Sequence, residues 1–347
     1  MYDNLIIKAD SSIINALKQM DSKKRKLLMV FLDSEFIGLL SIGDIQRAII
    51  NNIDLNTPIE EILRKDIILA RHNESIESIK KKMFQIRAEF MPVLDNKKKL
   101  VKVIYWEDLF ENFPLPPRNQ FKLPVVIMAG GFGTRLRPLT NVIPKPLIPI
   151  RNKTIIEHIF DRFHYHGCNH FFISVNYKAK LIEYYLSEQN LPYKLLYFKE
   201  DKPMGTAGSL SLLKGKINDT FFVTNCDILI EQDYSEILDY HRHNKNEITV
   251  IAAMKSYNIP YGTIQSGKKG ELIDLIEKPN LTFKINSGMY ILEPHLIDEI
   301  PNNEFFHITH LIEKVKNRNG RVGVFPVSEK SWKDIGEWDI YLKELTI

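Results

Sequence analysis

The sequence is poor in the features that would place it quickly. Only two cysteines occur in 347 residues, Cys168 and Cys226, with no Cys-x-x-Cys pair. Neither a disulfide framework nor a structural zinc site is supported. Long apolar runs are missing; residues 125–129 are typical, and far too short to span a bilayer. Residues 1–10 lack the basic region and long apolar core of a signal peptide, so the expectation is a soluble cytoplasmic protein without a membrane partner. Charge of one sign is also scarce. Lys+Arg 47 against Asp+Glu 43 leaves +4, with 19 basic and 17 acidic residues up to Arg118, then 28 and 26. No basic face stands out, which argues against nucleic acid. What is present is 44% hydrophobic content, enough to bury a core in each of about two domains.

The clearest break is residues 111–124 (ENFPLPPRNQFKLP), where Pro114, Pro116, Pro117 and Pro124 remove donors and favour a stiff, extended connection. The expected domains are 1–118 and 119–347. Before the break lies a weak repeat. Residues 26–49 and 89–110 share the order apolar strand, acidic turn, apolar strand, acid-led helix, with Asp33 and Asp95 opening the turns 62 residues apart. Amphipathic helical patterns precede each copy, at residues 12–20 and 75–84. Ser41-x-x-Asp44 opens the last helix of the first copy; Tyr105-x-x-Asp108 holds the same place in the second.

This front segment resembles a pair of CBS domains, α+β modules that commonly bind adenine nucleotides and regulate an attached catalytic domain. The resemblance makes Ser41 and Asp44 candidate ribose contacts, for a regulatory nucleotide or pathway product, and the bulky Tyr105 departs from the pattern. The plainer reading has Asp44 and Asp108 as helix N-terminal caps.

After the break, strands alternate with helices. Residues 123–130 (LPVVIMAG) form a continuous apolar run, as in a strand buried on both faces. Strands at 170–176, 193–198 and 221–227 and helices at 154–167, through 182 and from 207 build βαβ units, so the fold class is α/β with a doubly wound, mostly parallel sheet. From Ile248 strands dominate, suggesting an antiparallel addition, and helices close the chain around 307–316 and 337–345.

Chemistry concentrates in VVIMAGGFGTRLRPLTNVIPKPLIPI, residues 125–150. A strand ends in Ala129-Gly130-Gly131-Phe132-Gly133-Thr134, where missing side chains let backbone N–H groups approach phosphates, and Arg135 follows at once. No Gly-Lys-Ser/Thr follows, and Leu136 stands where a dinucleotide fingerprint needs its third glycine. A second cation, Lys145, is flanked by Pro144 and Pro146, which restrict its backbone. Two cations beside a glycine loop suit a polyphosphate.

From Gly131 to Leu147 the sequence closely resembles the sugar-phosphate nucleotidyltransferases, with their Gly-x-Gly-Thr-Arg-Leu-x-Pro-Leu-Thr and Pro-Lys-Pro-Leu motifs, and the resemblance runs from about Leu123 onward. It implies a GT-A/Rossmann-like domain that takes a nucleoside triphosphate and a sugar 1-phosphate. Arg135 would hold the departing β- and γ-phosphates and Lys145 the α-phosphate, with Ala129, Gly130, Gly131, Gly133 and Thr134 lining the nucleotide. Asp227, ending the strand FFVTNCD, and Asp334, in WKDIGEWDIY, would bind the catalytic Mg²⁺. Carboxylates are hard oxygen ligands, which suits that ion. Gly205 would lie against the base.

Glu200 falls where thymidine- or uridine-preferring relatives tend to carry glutamine. A carboxylate only accepts, matching the two adjacent donors of guanine, whereas glutamine offers the donor and acceptor that thymine needs. GTP is therefore expected; the alternative is a solvated glutamate in a charged loop. Tyr261-Gly262, Glu277-Lys278-Pro279 and Asn286-Ser287-Gly288 resemble the sugar-binding motifs, giving Gly262, Glu277, Lys278 and Asn286 as sugar-phosphate contacts. The family's members with a CBS pair in front most resemble glucosamine-1-phosphate guanylyltransferases of legionaminic acid synthesis, which implies GDP-glucosamine as product. A mannose-1-phosphate guanylyltransferase and then a thymidylyl- or uridylyltransferase are the alternatives, and from another class an inactive nucleotide sensor. A homo-oligomer is expected. The histidine pairs His164/His166, His241/His243 and His307/His310 lack a completing carboxylate or thiolate set.

Overall fold

The structure, a computed structural model, describes residues 2–110 and 119–345. Most of the proline-rich connection expected at 111–124 lies outside the described residues. Two compact units divide the chain, Met1–Arg118 and Asn119–Ile347.

The front unit repeats one motif. In the first copy, strand Ile6–Lys8 pairs in parallel with Leu27–Leu32, which pairs antiparallel with Glu35–Ser41. In the second, Ala70–Arg71 pairs in parallel with Phe90–Leu94, which pairs antiparallel with Leu100–Tyr105. Helices Ile13–Lys23 and Ile76–Ile86 are each capped by a serine, Ser12 and Ser75, whose hydroxyl accepts an N–H three residues on. Both copies feed one core: Met29 and Leu39 of the first pack with Phe90 and Val103 of the second. The repeat read from the sequence is thus a shared fold, since neither half buries its apolar face alone.

The second unit is built on a seven-stranded sheet. Its order is Lys194–Lys199, His170–Val175, Val125–Met128, Phe221–Asn225, Asn280–Leu292, Ile248–Asn258, Val322–Ser328, and only Asn280–Leu292 runs against the rest. The expected antiparallel addition is therefore largely absorbed into the main sheet. Alternation along the strands clothes both faces. Phe171 and Phe222 face the helices Ile155–Tyr165 and Tyr234–His243, through Phe160, Phe163 and Tyr234. Phe172, Phe221 and Val223 face the opposite way, toward Ile308, Leu311 and Val315 of the helix Ile308–Asn317. The helix expected from Ala207 is a 3-10 segment, Gly208–Leu213. Its start is pinned to Phe306 O, which accepts from both Ala207 N and Gly208 N. No helix among the described residues is long and apolar enough to cross a membrane.

Candidate active site

Register sets the site. Ser174, Met128 and Asn225 are level across three parallel strands, so Ala129, Asn176, Glu200 and Asp227 all fall at the carboxyl edge of the sheet, where open α/β sheets bind ligands. The Ala129 N–H donates to Ser174 O at 3.0 Å, holding the start of the glycine loop against the neighbouring strand. Nothing lies within 4 Å of where a Gly131 side chain would begin, so that stretch of backbone is open to a ligand. Gly133 adopts φ +64°, and a Cβ there would stand 2.8 Å from Thr140 Cγ2 and 3.2 Å from Lys145 Cβ. Only glycine lets the loop close against the Thr140 and Lys145 side chains. Thr134 and Arg135 then form a 3-10 turn with Leu136.

Two distant stretches, one carrying Arg135 and Lys145 and the other Asp334, meet at Asp227. Its carboxylate is buried and paired with the buried Lys145 ammonium. Arg135 Nη2 lies 3.3 Å from the same oxygen, Oδ2, while Nη1 reaches Asp334 Oδ2 at 2.9 Å and also pairs with Glu337. Burial alone would lower the Arg135 pKa, but Asp334, Glu337 and Asp227 together outweigh that and raise it. Asp334 is brought in by a small antiparallel ladder in which Ile228–Ile230 pairs with Trp332–Asp334, Ile228 opposite Asp334. The following turn closes the site: Ile335 N donates to Asp227 O at 2.9 Å and Gly336 N to Asp334 Oδ1 at 2.9 Å. Gly336 is packed into the cluster. A Cβ there would collide with Lys145 Nζ and stand 2.8 Å from both Arg135 Nη2 and Asp227 Oδ2. Trp338 Nε1 donates to Arg137 O at 3.2 Å, tying the segment to the loop that carries Arg135. Gly336, Glu337 and Trp338 are site residues that sequence reasoning missed, although all lie within the WKDIGEWDIY segment that supplied Asp334.

Glu200 is buried, not solvated. Ser174 Oγ donates to its Oε1 at 2.5 Å and Met204 N to its Oε2 at 3.2 Å. Oε1 also lies 3.1 Å from where a Gly130 Cβ would be, so the glycine loop and Glu200 share one wall. Ser174 was missed because its partner is 26 residues away. Gly205, at φ +80°, presses on the Phe306 backbone; a Cβ would sit 2.8 Å from Phe306 O.

A model of the family "Nucleotidyl transferase" matches residues 124–346, well over half of the chain. The chain belongs to that family. A CBS domain model also matches residues 59–114. Among relatives, the mannose-1-phosphate guanylyltransferase catalytic subunit beta of Dictyostelium discoideum is 36% identical over 185 residues, 51% of this chain and 52% of that protein. The mannose-1-phosphate guanylyltransferase of Mycobacterium tuberculosis (strain ATCC 25618 / H37Rv) is 29% identical over 220 residues, 62% of this chain and 61% of that protein. The chain spans about half the length of the first of these relatives, and under two thirds of the second. A putative glucose-1-phosphate thymidylyltransferase from Bacillus anthracis shares the fold, with a TM-score of 0.50 at 21% identity over 64% of this chain and 94% of that one.

The expected sugar-side residues are only partly gathered. Gly262 and Glu277 meet: Glu277 Oε2 lies 2.7 Å from where a Gly262 Cβ would be. Lys278 adopts φ +45° and is exposed. Asn286 lies in the strand Asn280–Leu292, where its Oδ1 accepts from Gly288 N at 3.1 Å and Tyr290 Oη at 2.9 Å. Burial pushes the Tyr290 phenol up to about 12, so it stays a donor. Burial likewise pushes the Cys226 thiol up to about 12, which makes it an inert packing residue. His307 and His310 are bonded to each other's segment at a helix start, His307 N to His310 Nδ1 at 3.3 Å. Glu247, His295 and Glu299 bring ligand atoms within 4.8 Å of one another, but Arg318 bridges both glutamates and makes the group an ion-pair network. In the front unit, Ser41 and Asp44 form a capping box. Asp44 is also paired with Arg47 and with Arg64 Nε at 2.8 Å.

Proposed function

We propose that the chain transfers a guanylyl group from GTP to a sugar 1-phosphate, releasing pyrophosphate, with glucosamine 1-phosphate as the acceptor and GDP-glucosamine as product. The observation that carries the reaction class is the meeting of Lys145, Arg135 and Asp334 on Asp227, beside a glycine loop at the carboxyl edge of the sheet. The sugar-phosphate oxygen is ionised at neutral pH and attacks the α-phosphorus in line; one P–O bond forms as the α–β P–O bond breaks. No protein nucleophile is required. Lys145, fixed by Asp227 and by the Gly133 contact, stands where charge develops at the α-phosphate. Arg135 exchanges its carboxylate partners for the β- and γ-phosphates that leave.

Asp227 and Asp334 fit Mg²⁺. Both cations on Asp227 use Oδ2, so among the described residues no hydrogen bond falls on Oδ1. Bound there, Mg²⁺ would add neutralisation of phosphate oxygens.

The burial of Glu200 supports GTP. Each oxygen accepts one internal bond, and its second lone pair suits the paired N–H donors of guanine. The names of the relatives, mannose-1-phosphate guanylyltransferases, favour the same base and give mannose 1-phosphate as the second reading for the sugar. The resemblance of CBS-fronted members to the legionaminic acid enzymes is what favours glucosamine.

The test is pyrophosphate release with GTP, dTTP, UTP and ATP crossed against glucosamine-, N-acetylglucosamine-, mannose- and glucose-1-phosphate. GTP with glucosamine 1-phosphate is expected to turn over fastest. No turnover with any pair would leave a nucleotide sensor in place of an enzyme. Glu200→Gln is expected to cut the preference for GTP over dTTP about tenfold; an unchanged ratio removes that carboxylate from base selection.

A further inference from the structure

The strand His170–Val175 sends Phe172 and Ser174 to the same face of the sheet. Around them that face is apolar: Phe172, Val126, Phe198 and Val223 belong to one buried cluster, with Met128 packed against it. Ser174 is level with Met128 on one side and Phe198 on the other, and it is wholly buried. A hydroxyl in such surroundings costs free energy unless it is bonded, and alanine would pack there without that cost.

The bond it makes is to Glu200. Among the described residues the Ser174 hydroxyl has that one partner, Glu200 Oε1 at 2.5 Å. The main chain of Glu200 is fixed separately, its N–H donating to Val175 O at 3.2 Å and its carbonyl accepting from Asn176 Nδ2 at 3.0 Å. What is left is rotation of the side chain, and two donors remove it: Met204 N holds Oε2 at 3.2 Å while Ser174 holds Oε1. These donors differ in kind. A backbone N–H can only donate, whereas a hydroxyl donates or accepts according to its partner. Met204 therefore demands an oxygen, and the serine is the half of the clamp that accommodates either a carboxylate or an amide at position 200.

We propose that Ser174 is a positioning residue for base selection: by donating to Oε1 it turns the Glu200 carboxylate so that both oxygens face the base at once. This rests on the reading of Glu200 as the guanine acceptor. A guanine edge offers two adjacent donors, so it gains from two acceptors held in one plane. A carboxylate free to rotate about its last bond presents them one at a time. The backbone of Ser174 is engaged independently, since its carbonyl accepts from Ala129 N, so removing the hydroxyl leaves the glycine loop anchored.

Ser174→Ala in the full chain tests it. KM for GTP is expected to rise about tenfold, with the loss on KM rather than kcat, while KM for dTTP stays within about twofold. Ser174→Thr, which keeps the hydroxyl, is expected to restore the preference for GTP; should its added methyl upset folding, seen by circular dichroism, a double-mutant cycle replaces it. With Glu200→Ala the serine has no carboxylate to turn, so adding Ser174→Ala is expected to leave the GTP-to-dTTP ratio where Glu200→Ala alone puts it. Dissociation constants for the two nucleotides, by calorimetry, give the same ratio without turnover, so an inactive chain is tested equally. If Ser174→Ala weakens both nucleotides together, or neither, while Glu200→Ala still shifts the ratio, the proposal falls and the reading of Glu200 stands. A ratio indifferent to Glu200→Ala would overturn both.

Discussion

Asp44 in the front unit and Asp227 in the second unit are both buried carboxylates, and each is met by two cations. Their surroundings differ in one respect. Around Asp44 every donor is near in the chain: Ser41 N at 2.8 Å, Ser41 Oγ at 2.6 Å, Arg47 and Arg64. Four donors saturate the roughly four lone-pair sites of a carboxylate. Around Asp227 the cations come from 82 and 92 residues upstream, both use one oxygen, and Gly336, having no side chain, lets them crowd against it. A carboxylate satisfied by its own helix start holds a fold together. One that gathers remote cations on one oxygen and leaves the other without a hydrogen bond among the described residues is, on the proposed function, arranged to give its partners up to a ligand.

Substitutions can break that contrast. The largest effect is expected from Asp227→Asn, with turnover falling about 10³-fold; the contrast fails if Asp44→Asn does the same. Gly336→Ala comes next. Its Cβ intrudes between Lys145, Arg135 and Asp227, and a displacement of that size is expected to cost about 10²-fold in turnover while circular dichroism stays native. Asp44→Asn should do the reverse, lowering the stability of the front unit by about 2 kcal/mol, seen as an earlier thermal transition, at unchanged turnover. The smallest effect concerns an exposed network. Hydrogen bonds from Arg318 hold the Glu247 carboxyl down, from its ordinary 4.5 to about 2. Because the folded value is the lower one, its contribution is complete above pH 4.5 and fades as pH falls toward 2. Glu247→Gln should flatten a small part of the acid limb of a stability profile, and a larger change would mean the pair is less solvent-screened than its exposure implies.

What the sequence makes legible is what lies close together along it. The glycine loop, Arg135 and Lys145 fall within a few turns of chain, and the parallel sheet follows from continuous apolar strands alternating with helices. Ser174, Gly336 and Glu337 were invisible because their roles exist only across the sheet or across the ladder that joins Ile228 to Asp334. Residues 272–276, LIDLI, form the antiparallel strand that their pattern suggests, yet all five are exposed. Periodicity reports which side chains avoid water, not which surface ends up covering them.

The ladder between Ile228–Ile230 and Trp332–Asp334 also orders events in time. Asp334 leaves the ribosome 107 residues after Asp227, roughly 5–20 s later at ordinary rates of synthesis. Throughout that interval a nascent chain can hold Lys145 against Asp227 but has no second carboxylate to complete the pair. The central sheet can begin to assemble while translation continues, and the cluster around Asp227 becomes whole only as the last strand is made.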